Sequence, residues 1–196
     1  MPLTIETLRG AAILPHLAAL ADLRMTVFRA WPYLYEGDAA YERHYVATYA
    51  ASQHAAIIIA RDAQTIVGAS TCLPLTDEAE SLQTPFRAAG LDPAAICYFG
   101  ESVLLEPYRG QGAGVAFFTA REAHARTIHG VTHAAFCAVI RNPADPRRPP
   151  RTTPLDDFWR HRGFTPHQGL ICTMRWREIG TEAEIENHLQ AWLKPL

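Results

Sequence analysis

The sequence is nearly free of lysine. Lys194 is the only lysine among 196 residues, and the other 17 basic residues are arginines scattered along the chain. The formal net charge is only −2, so no face or segment has the concentrated positive charge that indicates a nucleic-acid partner. The lack of lysine also excludes a Walker loop, which needs Lys next to Ser or Thr after its last glycine.

Cysteine is scarce as well. The four cysteines lie far apart within apolar runs, without the C-x-x-C spacing of a metal site or the density of a disulfide framework. The nine histidines show no ligand spacing such as H-E-x-x-H. We therefore expect no metal, and we expect four small buried hydrophobic residues: Cys72, Cys97, Cys137 and Cys172.

Long apolar runs are missing too. Uninterrupted apolar runs such as residues 55–60 are too short to cross a bilayer, and the N-terminal apolar segment is interrupted by Pro15 and His16. These features predict no membrane partner and a cytoplasmic location. The length suits one domain, residues 1–196, which would bury about 70% of its unfolded surface.

The most informative stretch of the chain is residues 96–128. Residues 96–105 are rich in aromatic and branched side chains and predict a buried strand that Pro107 ends. A glycine-rich turn follows, and then a helix whose apolar stripe leaves Arg121 on another face. The first turn of a helix has free N–H groups, and glycine lets them approach a phosphate closely, so the pattern predicts an anion site. A dinucleotide fingerprint fits poorly, because Phe117 stands where it needs glycine or alanine.

The turn, Arg-Gly-Gln-Gly-Ala-Gly at residues 109–114, fits the motif Arg/Gln-x-x-Gly-x-Gly/Ala. With the apolar strand at 133–140 and the segment Asp-Phe-Trp-Arg-His-Arg-Gly-Phe at 157–164, the chain resembles the GNAT superfamily of acyl-CoA-dependent N-acyltransferases, most specifically over residues 96–176. The alternative is a turn that only packs a strand on a helix. The resemblance implies an α/β (α+β) GNAT fold, with a mixed central sheet of about six to seven strands flanked by helices on both faces.

The other predicted elements follow from apolar periodicity and turn residues. In the first half they are an edge strand at 3–8, a helix at 11–30, an aromatic loop at 31–37, a helix capped by Asp38, a hairpin of 54–60 and 65–73, and a short helix from Thr84-Pro85 to Gly90. In the second half they are a short helix capped by Thr153 with Pro154 in its first turn and closed by Gly163, a strand at 167–176, and a last helix. The last helix rests on the capping-box spacing from Thr181 to Glu184 and on an apolar face of Ile185, Leu189, Trp192 and Leu193.

The resemblance implies acetyl-CoA as co-substrate. Its diphosphate would lie on the main-chain N–H groups of the turn, and its pantetheine arm would pair with the preceding strand edge. Asn142 is the candidate for a further pantetheine contact, but it precedes Trp159 by 17 residues, which indicates an insertion. Arginines in that insertion would cover the 3′-phosphate or the acceptor mouth, or simply be solvated. The implied cofactor-binding residues are Val103, Leu104, Arg109, Gly110, Gln111, Gly112, Ala113, Gly114 and Asn142.

Acyl transfer to a primary amine needs a base, because an alkyl amine with a pKa near 10.4 is neutral in about one molecule in a thousand at pH 7. Glu101, a carboxylate in an apolar strand, is the candidate; the alternative is a structural carboxylate paired with an arginine. Trp159 stands where the family often has a tyrosine that reprotonates the thiolate. Tyr108 is our catalytic substitute, beside Tyr98, Cys137, Tyr35 or water.

In the family, the connection between the first two helices borders the acceptor site. We therefore predict substrate contacts from Trp31, Tyr33, Tyr35 and Glu36. Acidic residues nearby would favour a cationic small amine or an amino-terminal group as acceptor. The rival hypotheses are a non-catalytic acyl-CoA sensor and a nucleotide switch, and a homodimer is left open.

Overall fold

The computed structural model describes residues 2–196. In chain order the elements are β1 (Thr4–Arg9), a 3₁₀ helix (Gly10–His16), α1 (Leu17–Phe28), α2 (Ala39–Ala51), β2 (Ala56–Asp62), β3 (Thr65–Pro74), α3 (Glu80–Ala88), β4 (Ile96–Tyr98), β5 (Ser102–Leu104), α4 (Ala113–Ala125), β6 (His133–Val139), α5 (Asp156–His161), β7 (Thr165–Arg177) and β8 (Glu184–Pro195).

The strands form one mixed sheet. Its order is β1-β2-β3-β4-β6-β8-β7, and β5 pairs with β3 beyond the end of β4. Only β4 and β6 run parallel, and the other pairs are antiparallel. The predicted mixed sheet is confirmed. It has eight strands because the chain's last segment is a strand and because the strand predicted at 96–105 is divided in two.

Alternation along the strands creates two apolar layers. In β2, Ile57 and Ile59 join the core that contains Leu20 of α1, whereas Ile58 joins the core that contains Phe117 of α4. Successive strand side chains point to opposite faces, so a continuous Ile-Ile-Ile run supplies both layers. The prediction of helices on both faces is confirmed.

The N-terminal segment Gly10–Phe28 is long and apolar enough, by length and composition, to cross a membrane, with a mean hydropathy of 1.3. In the structure its first part is the 3₁₀ helix with Pro15 inside it, and α1 packs against α2, β3 and β5. Arg24 lies in buried ion pairs within the domain. These contacts are those of a helix in a protein core.

The predicted last helix is wrong, because residues 184–195 form β8 between β6 and β7. The spacing of its apolar residues suits the helical period of 3.6 residues and the strand period of two almost equally. Hydrogen bonds to the two flanking strands favour the strand. Leu189, Ala191 and Leu193 alternate into one core, whereas Trp192 enters the other. Thr181 does not cap a helix. Its hydroxyl donates to the Glu178 carbonyl at 2.9 Å and so closes the β7–β8 turn.

Two helix starts were also predicted wrongly. α3 begins at Glu80, so Pro85 lies inside it, and α5 begins at Asp156 and not behind Thr153 and Pro154. The cap of α2 was predicted correctly, since the Asp38 carboxylate accepts from the Tyr41 N–H at 2.8 Å.

Candidate functional site

The central strand breaks at residues 99–101. At Tyr98 it still pairs with both neighbours, and the Phe99 N–H makes the last bond to β6, donating to the Ala135 carbonyl at 2.7 Å. Beyond Phe99 the chain pairs with β3 alone: the Gly100 N–H donates to the Thr71 carbonyl at 3.2 Å, and the Glu101 carbonyl accepts from the Thr71 N–H at 3.1 Å. The strands β5 and β6 therefore separate and leave a slot between them.

The slot is bordered by strand edges that have no partner strand. Main-chain groups of alternate residues in a strand point to the same side. The main chain of Ala135 in β6 faces β4, so those of Cys137 and Val139 point in the same direction and face the slot, beyond the end of β4. On the other side Leu104 faces the slot, and its carbonyl accepts from Arg109 Nε at 3.2 Å. The prediction for Val103 is corrected, because its main chain faces Ala69 of β3 and its side chain is fully buried. Such a slot can take up an extended chain carrying amide groups.

The glycine-rich turn leads from β5 into α4. Gly110 and Gly112 have φ angles of 75° and 86°, the left-handed region that glycine adopts without strain. Gly114 differs from these two glycines, since it lies in α4 without a positive φ angle. A Cβ at Gly114 would lie 3.4 Å from the Phe158 ring, which is an ordinary packing distance.

The N–H groups at this turn are free. None of the main-chain N–H groups of residues 110–115 donates to a protein acceptor anywhere in residues 2–196, and residues 110–112 are exposed. The side chain of Gln111 turns away and donates to the Pro107 carbonyl at 3.1 Å. Free amides at the positive end of a helix form an anion site.

A cavity of about 80 Å³ opens at the strand break, with Gly100, Glu101 and the slot-facing Cys137 in its wall. Its other walls are mostly aromatic and come from α1, α2, the loop 31–37 and β7: Phe28, Tyr33, Tyr35, Tyr41, Tyr45, Tyr98 and Trp176. Of the predicted substrate residues, Tyr33 and Tyr35 line the cavity. Trp31 and Glu36 do not, and Glu36 pairs instead with Arg29.

Glu101 is 2% exposed and is held by three side chains. One carboxylate oxygen pairs with Arg24 Nη1, and the other accepts from the Tyr49 hydroxyl at 2.8 Å and from the Thr71 hydroxyl. Arg24 also pairs with the buried Glu42 at 2.5 Å. Glu101 therefore borders the cavity as the prediction requires, but it is also the arginine-paired carboxylate of the alternative.

The neighbouring carboxylates keep Arg24 protonated in its buried position. Burial alone would lower the pKa of Arg24, but the charges of Glu101 and Glu42 raise it well above its ordinary value. Its guanidinium carbon lies 4.1 Å from the centroid of the Tyr45 ring. One buried cation thus serves two carboxylates, and the three side chains together keep one formal negative charge beside the cavity.

Glu78 is a second carboxylate that the sequence analysis missed. Its Oε1 atom is buried and has no hydrogen-bond partner within residues 2–196. Burial, followed by the charge of Glu101, raises the pKa of Glu78 to about 7. Its charge also helps to raise the pKa of two tyrosines in the cavity wall, Tyr45 and Tyr98. The local sequence gives no sign that Glu78 is buried, because the tyrosines it influences belong to β4 and α2, which are distant in the chain.

Tyr108 lies outside the cavity wall, which corrects its predicted catalytic place. Its hydroxyl donates to Asp62 at 3.1 Å, and this hydrogen bond raises the pKa of Tyr108. Of the substitutes, Tyr35, Tyr98 and Cys137 line the cavity, and burial raises the pKa of both tyrosines. Trp159 packs among Phe136 and Trp192 with ring centroids about 5 Å apart.

The segment after β6 contacts the aromatic loop and the residues that follow β7. Arg141 donates to the carbonyls of Pro32 and Tyr33, at 2.5 and 2.8 Å, and pairs with the fully buried Glu178. Arg147 reaches the other oxygen of Glu178 at 2.5 Å. Arg141 thus fastens the aromatic loop to the end of β7, and Arg147 supports this contact through the shared carboxylate of Glu178.

Asn142 closes a turn within the insertion, because its side-chain oxygen accepts from the Ala144 N–H at 2.9 Å. Its side-chain NH₂ group donates no hydrogen bond within residues 2–196, and a pantetheine contact from Asn142 stays a prediction. Arg147 is held by Asp145 as well as by Glu178, and the hydrogen bonds from Arg147 lower the pKa of Asp145 to about 2. Arg147 is therefore not free to cover a 3′-phosphate.

The clamp leads to a prediction. We expect Arg147→Gln to accelerate amide hydrogen exchange in peptides covering residues 30–37, because the insertion then loses its ion pair with Glu178. Arg148→Gln is the matched control, since Arg148 donates only to the Pro143 carbonyl of its own loop. Equal exchange in the two variants would show that the insertion does not hold the aromatic loop.

This combination of a mixed sheet, a divided central strand and a glycine turn before α4 is the GNAT fold, and the structural comparisons agree. NAA60 of Arabidopsis thaliana, solved with a bisubstrate analogue, superposes with a TM-score of 0.62 at 12% identity, covering 98% of this chain and 99% of that one. The acetyltransferase yncA of Salmonella typhimurium, solved with acetyl-CoA, gives 0.62 at 14% identity over 100% and 95%. An acetyltransferase of Thermus thermophilus gives 0.55 at 15% over 100% and 98%.

No protein-family model matches the sequence, and no curated protein matches it. The fold is therefore established by structural similarity, at identities too low to carry over a substrate.

Proposed function

We propose that the protein is an N-acetyltransferase that transfers an acetyl group from acetyl-CoA directly to a primary amine of a small molecule or an amino-terminal group. The observation that carries the proposal is the row of free N–H groups at residues 110–115, at the end of a slot that begins at a cavity. The yncA and NAA60 structures, solved with acetyl-CoA and with a bisubstrate analogue, support the same ligand class.

The residues present fit such a ligand. The amides of Gly110, Gln111, Gly112, Ala113 and Gly114 would hold the diphosphate, and Arg109 stands beside them. The free main-chain edges of Leu104 and Cys137 would pair with the two amide groups of the pantetheine arm. The thioester would then lie near Gly100, where the slot meets the cavity.

Acetyl-CoA supplies the activated acetyl thioester. The amine nitrogen forms a bond to the acetyl carbon as the carbon–sulfur bond breaks; the amine gives up a proton, and the thiolate takes one. The aromatic walls exclude water, which favours the neutral amine and limits hydrolysis. Glu101 is our proposed base, and it would have to exchange one of its present hydrogen bonds for the amine or for a water molecule.

Glu78 does not itself line the cavity, but it is a second candidate for a base that acts through a water molecule. Its free buried oxygen and its pKa of about 7 suit proton uptake near neutral pH better than a carboxylate already held by three donors. The two candidates belong to one charged cluster, because the charge of Glu101 contributes to the raised pKa of Glu78. Variants can separate them.

Thiol release from acetyl-CoA over a panel of amines, amino acids and peptides tests the function. We expect Glu101→Gln to lower kcat/KM at least about tenfold if Glu101 is the base. If Glu78 is the base instead, kcat/KM should rise with pH near 7 as Glu78 loses its proton, and Glu78→Gln should abolish this rise. Glu80→Gln, an exposed neighbour paired only at the surface with Arg87, is the control.

A non-catalytic acyl-CoA sensor is the second candidate function. It is favoured by Trp159, whose indole packs in the core and cannot protonate a thiolate. It predicts acetyl-CoA binding without thiol release on any acceptor in the panel. The cationic acceptor predicted from the sequence stays a prediction: Arg29 neutralises Glu36, whereas Arg24 is shared between Glu101 and Glu42 and leaves one of these two negative charges unbalanced. A cytoplasmic location and a homodimer stay predictions.

A further inference from the structure

Arg121 lies on the buried face of α4 and is only 1% exposed. Its Nη1 atom donates to the Glu101 carbonyl at 3.2 Å, and its guanidinium carbon lies 4.4 Å from the centroid of the Phe99 ring and 4.6 Å from that of Phe118. Within residues 2–196 it makes no salt bridge, and its Nη2 atom has no partner. A guanidinium is thus buried without an anion.

Such a burial opposes folding. Desolvation lowers the pKa of Arg121 to about 10, so the side chain is still charged at neutral pH. An apolar side chain of similar length would fill the same space between aromatic rings without desolvating a charge. Packing therefore does not explain why an arginine is found here.

The contacts of Arg121 lie on both sides of the strand break. Phe99 makes the last bond to β6, whereas Gly100 and Glu101 bond to Thr71 of β3 alone, through the Gly100 N–H and the Glu101 carbonyl. Arg121 stacks on Phe99 and donates to the Glu101 carbonyl. On the opposite face no space is left at the break. A Cβ at Gly100 would lie 2.3 Å from the Tyr49 hydroxyl and 2.8 Å from the Thr71 hydroxyl, so these side chains pack directly on the Gly100 main chain.

We propose that Arg121 is a positioning residue that holds β5 on β3 and away from β6, and so keeps open the slot that receives the pantetheine arm of acetyl-CoA. Unpaired strand edges tend to pair with each other, so a slot between two of them needs a group that prevents closure. The inference rests on the proposed function, since it assigns the slot to the thioester arm.

Calorimetry with two ligands tests the role. Acetyl-CoA engages both the turn and the slot, whereas 3′-phosphoadenosine 5′-diphosphate keeps both phosphates of the diphosphate and lacks the pantetheine arm. We expect Arg121→Met to weaken acetyl-CoA binding about tenfold or more while changing nucleotide binding less than about twofold. Thermal unfolding should show a midpoint unchanged or raised, because the buried charge is gone.

Arg126→Met is the matched control, on the same helix but exposed and paired only with Glu122 at 3.5 Å, and it should change neither affinity. Equal weakening of both ligands, or an unchanged acetyl-CoA affinity in folded Arg121→Met, would overturn the inference. If Arg121→Met does not fold, the same comparison is made with Arg121→Lys, which keeps the charge but has fewer donors. A wild-type protein that binds neither ligand contradicts the proposed function itself.

Discussion

Replacing Gly112 with valine is expected to weaken acetyl-CoA binding at least about thirtyfold, a loss of about 2 kcal/mol. Gly112 has a φ of 86° immediately before α4, where a β-branched residue is strongly disfavoured. The strain would shift the free amides of Ala113 and its neighbours from their common direction. No protein atom lies within 4 Å of a Cβ at this position, so the valine side chain would also occupy space open to the anion. Isothermal titration calorimetry measures the loss.

Gly130→Val is the matched control for this substitution. Gly130 follows the opposite end of the same helix, has a φ of 82° and also has open space around its Cβ position. Both variants should lose comparable unfolding free energy, and only Gly112→Val should lose affinity. Equal affinity in the two variants would mean that the turn does not hold the diphosphate.

The turn could be predicted from the sequence because its determinants are local. A left-handed glycine, a strand ended by Pro107 and a helix start are each encoded within a few residues, and a ligand bound by main-chain amides needs no particular side chain. The cap by Asp38 could be predicted for the same reason. Local chemistry is therefore enough to locate the turn and its free amides.

The last strand shows where local reasoning fails. Apolar residues at 185, 189, 192 and 193 satisfy a helical stripe almost as well as an alternating one, and a capping-box pattern added support for the helix. Pairing with β7 and with β6, which is distant in the chain, decides for the strand. Long-range hydrogen bonds of this kind leave little trace in the segment itself.

The polar cluster under the cavity was equally hard to predict. Glu101 was recognised as a costly buried carboxylate, but its partners Arg24, Tyr49 and Thr71 come from three other elements. The prediction that placed Arg121 off the apolar stripe was wrong, although a signal existed, because Arg121 lies on the same row as Ala113, Phe117 and Ala125 at helical spacing. A charged residue within an apolar row indicates either that the helix is assigned wrongly or that the charge is buried for a functional reason.

The largest loss of stability is expected for Arg24→Met. This change leaves Glu42 and Glu101 buried without their shared cation, and removing one member of a buried ion pair typically costs about 3–5 kcal/mol. The loss should shrink as the pH falls, because unpaired buried carboxylates have raised pKa values in the folded protein and become neutral below them. Urea unfolding at pH 8 and pH 5 measures both effects.

Two comparisons separate this electrostatic cause from lost packing. Arg29→Met removes an exposed ion pair with Glu36 one residue beyond the end of α1 and should change stability by less than about 0.5 kcal/mol. Adding Glu42→Gln to Arg24→Met should restore part of the loss, because one uncompensated charge disappears. If the double variant is no more stable than Arg24→Met, and the loss is the same at both pH values, the guanidinium acts by filling space against Phe28 and Tyr45. Breaking the ion pair between Arg24 and Glu101 would then cost little free energy. This would strengthen the assignment of Glu101 as the base, because its carboxylate could be released to take up a proton.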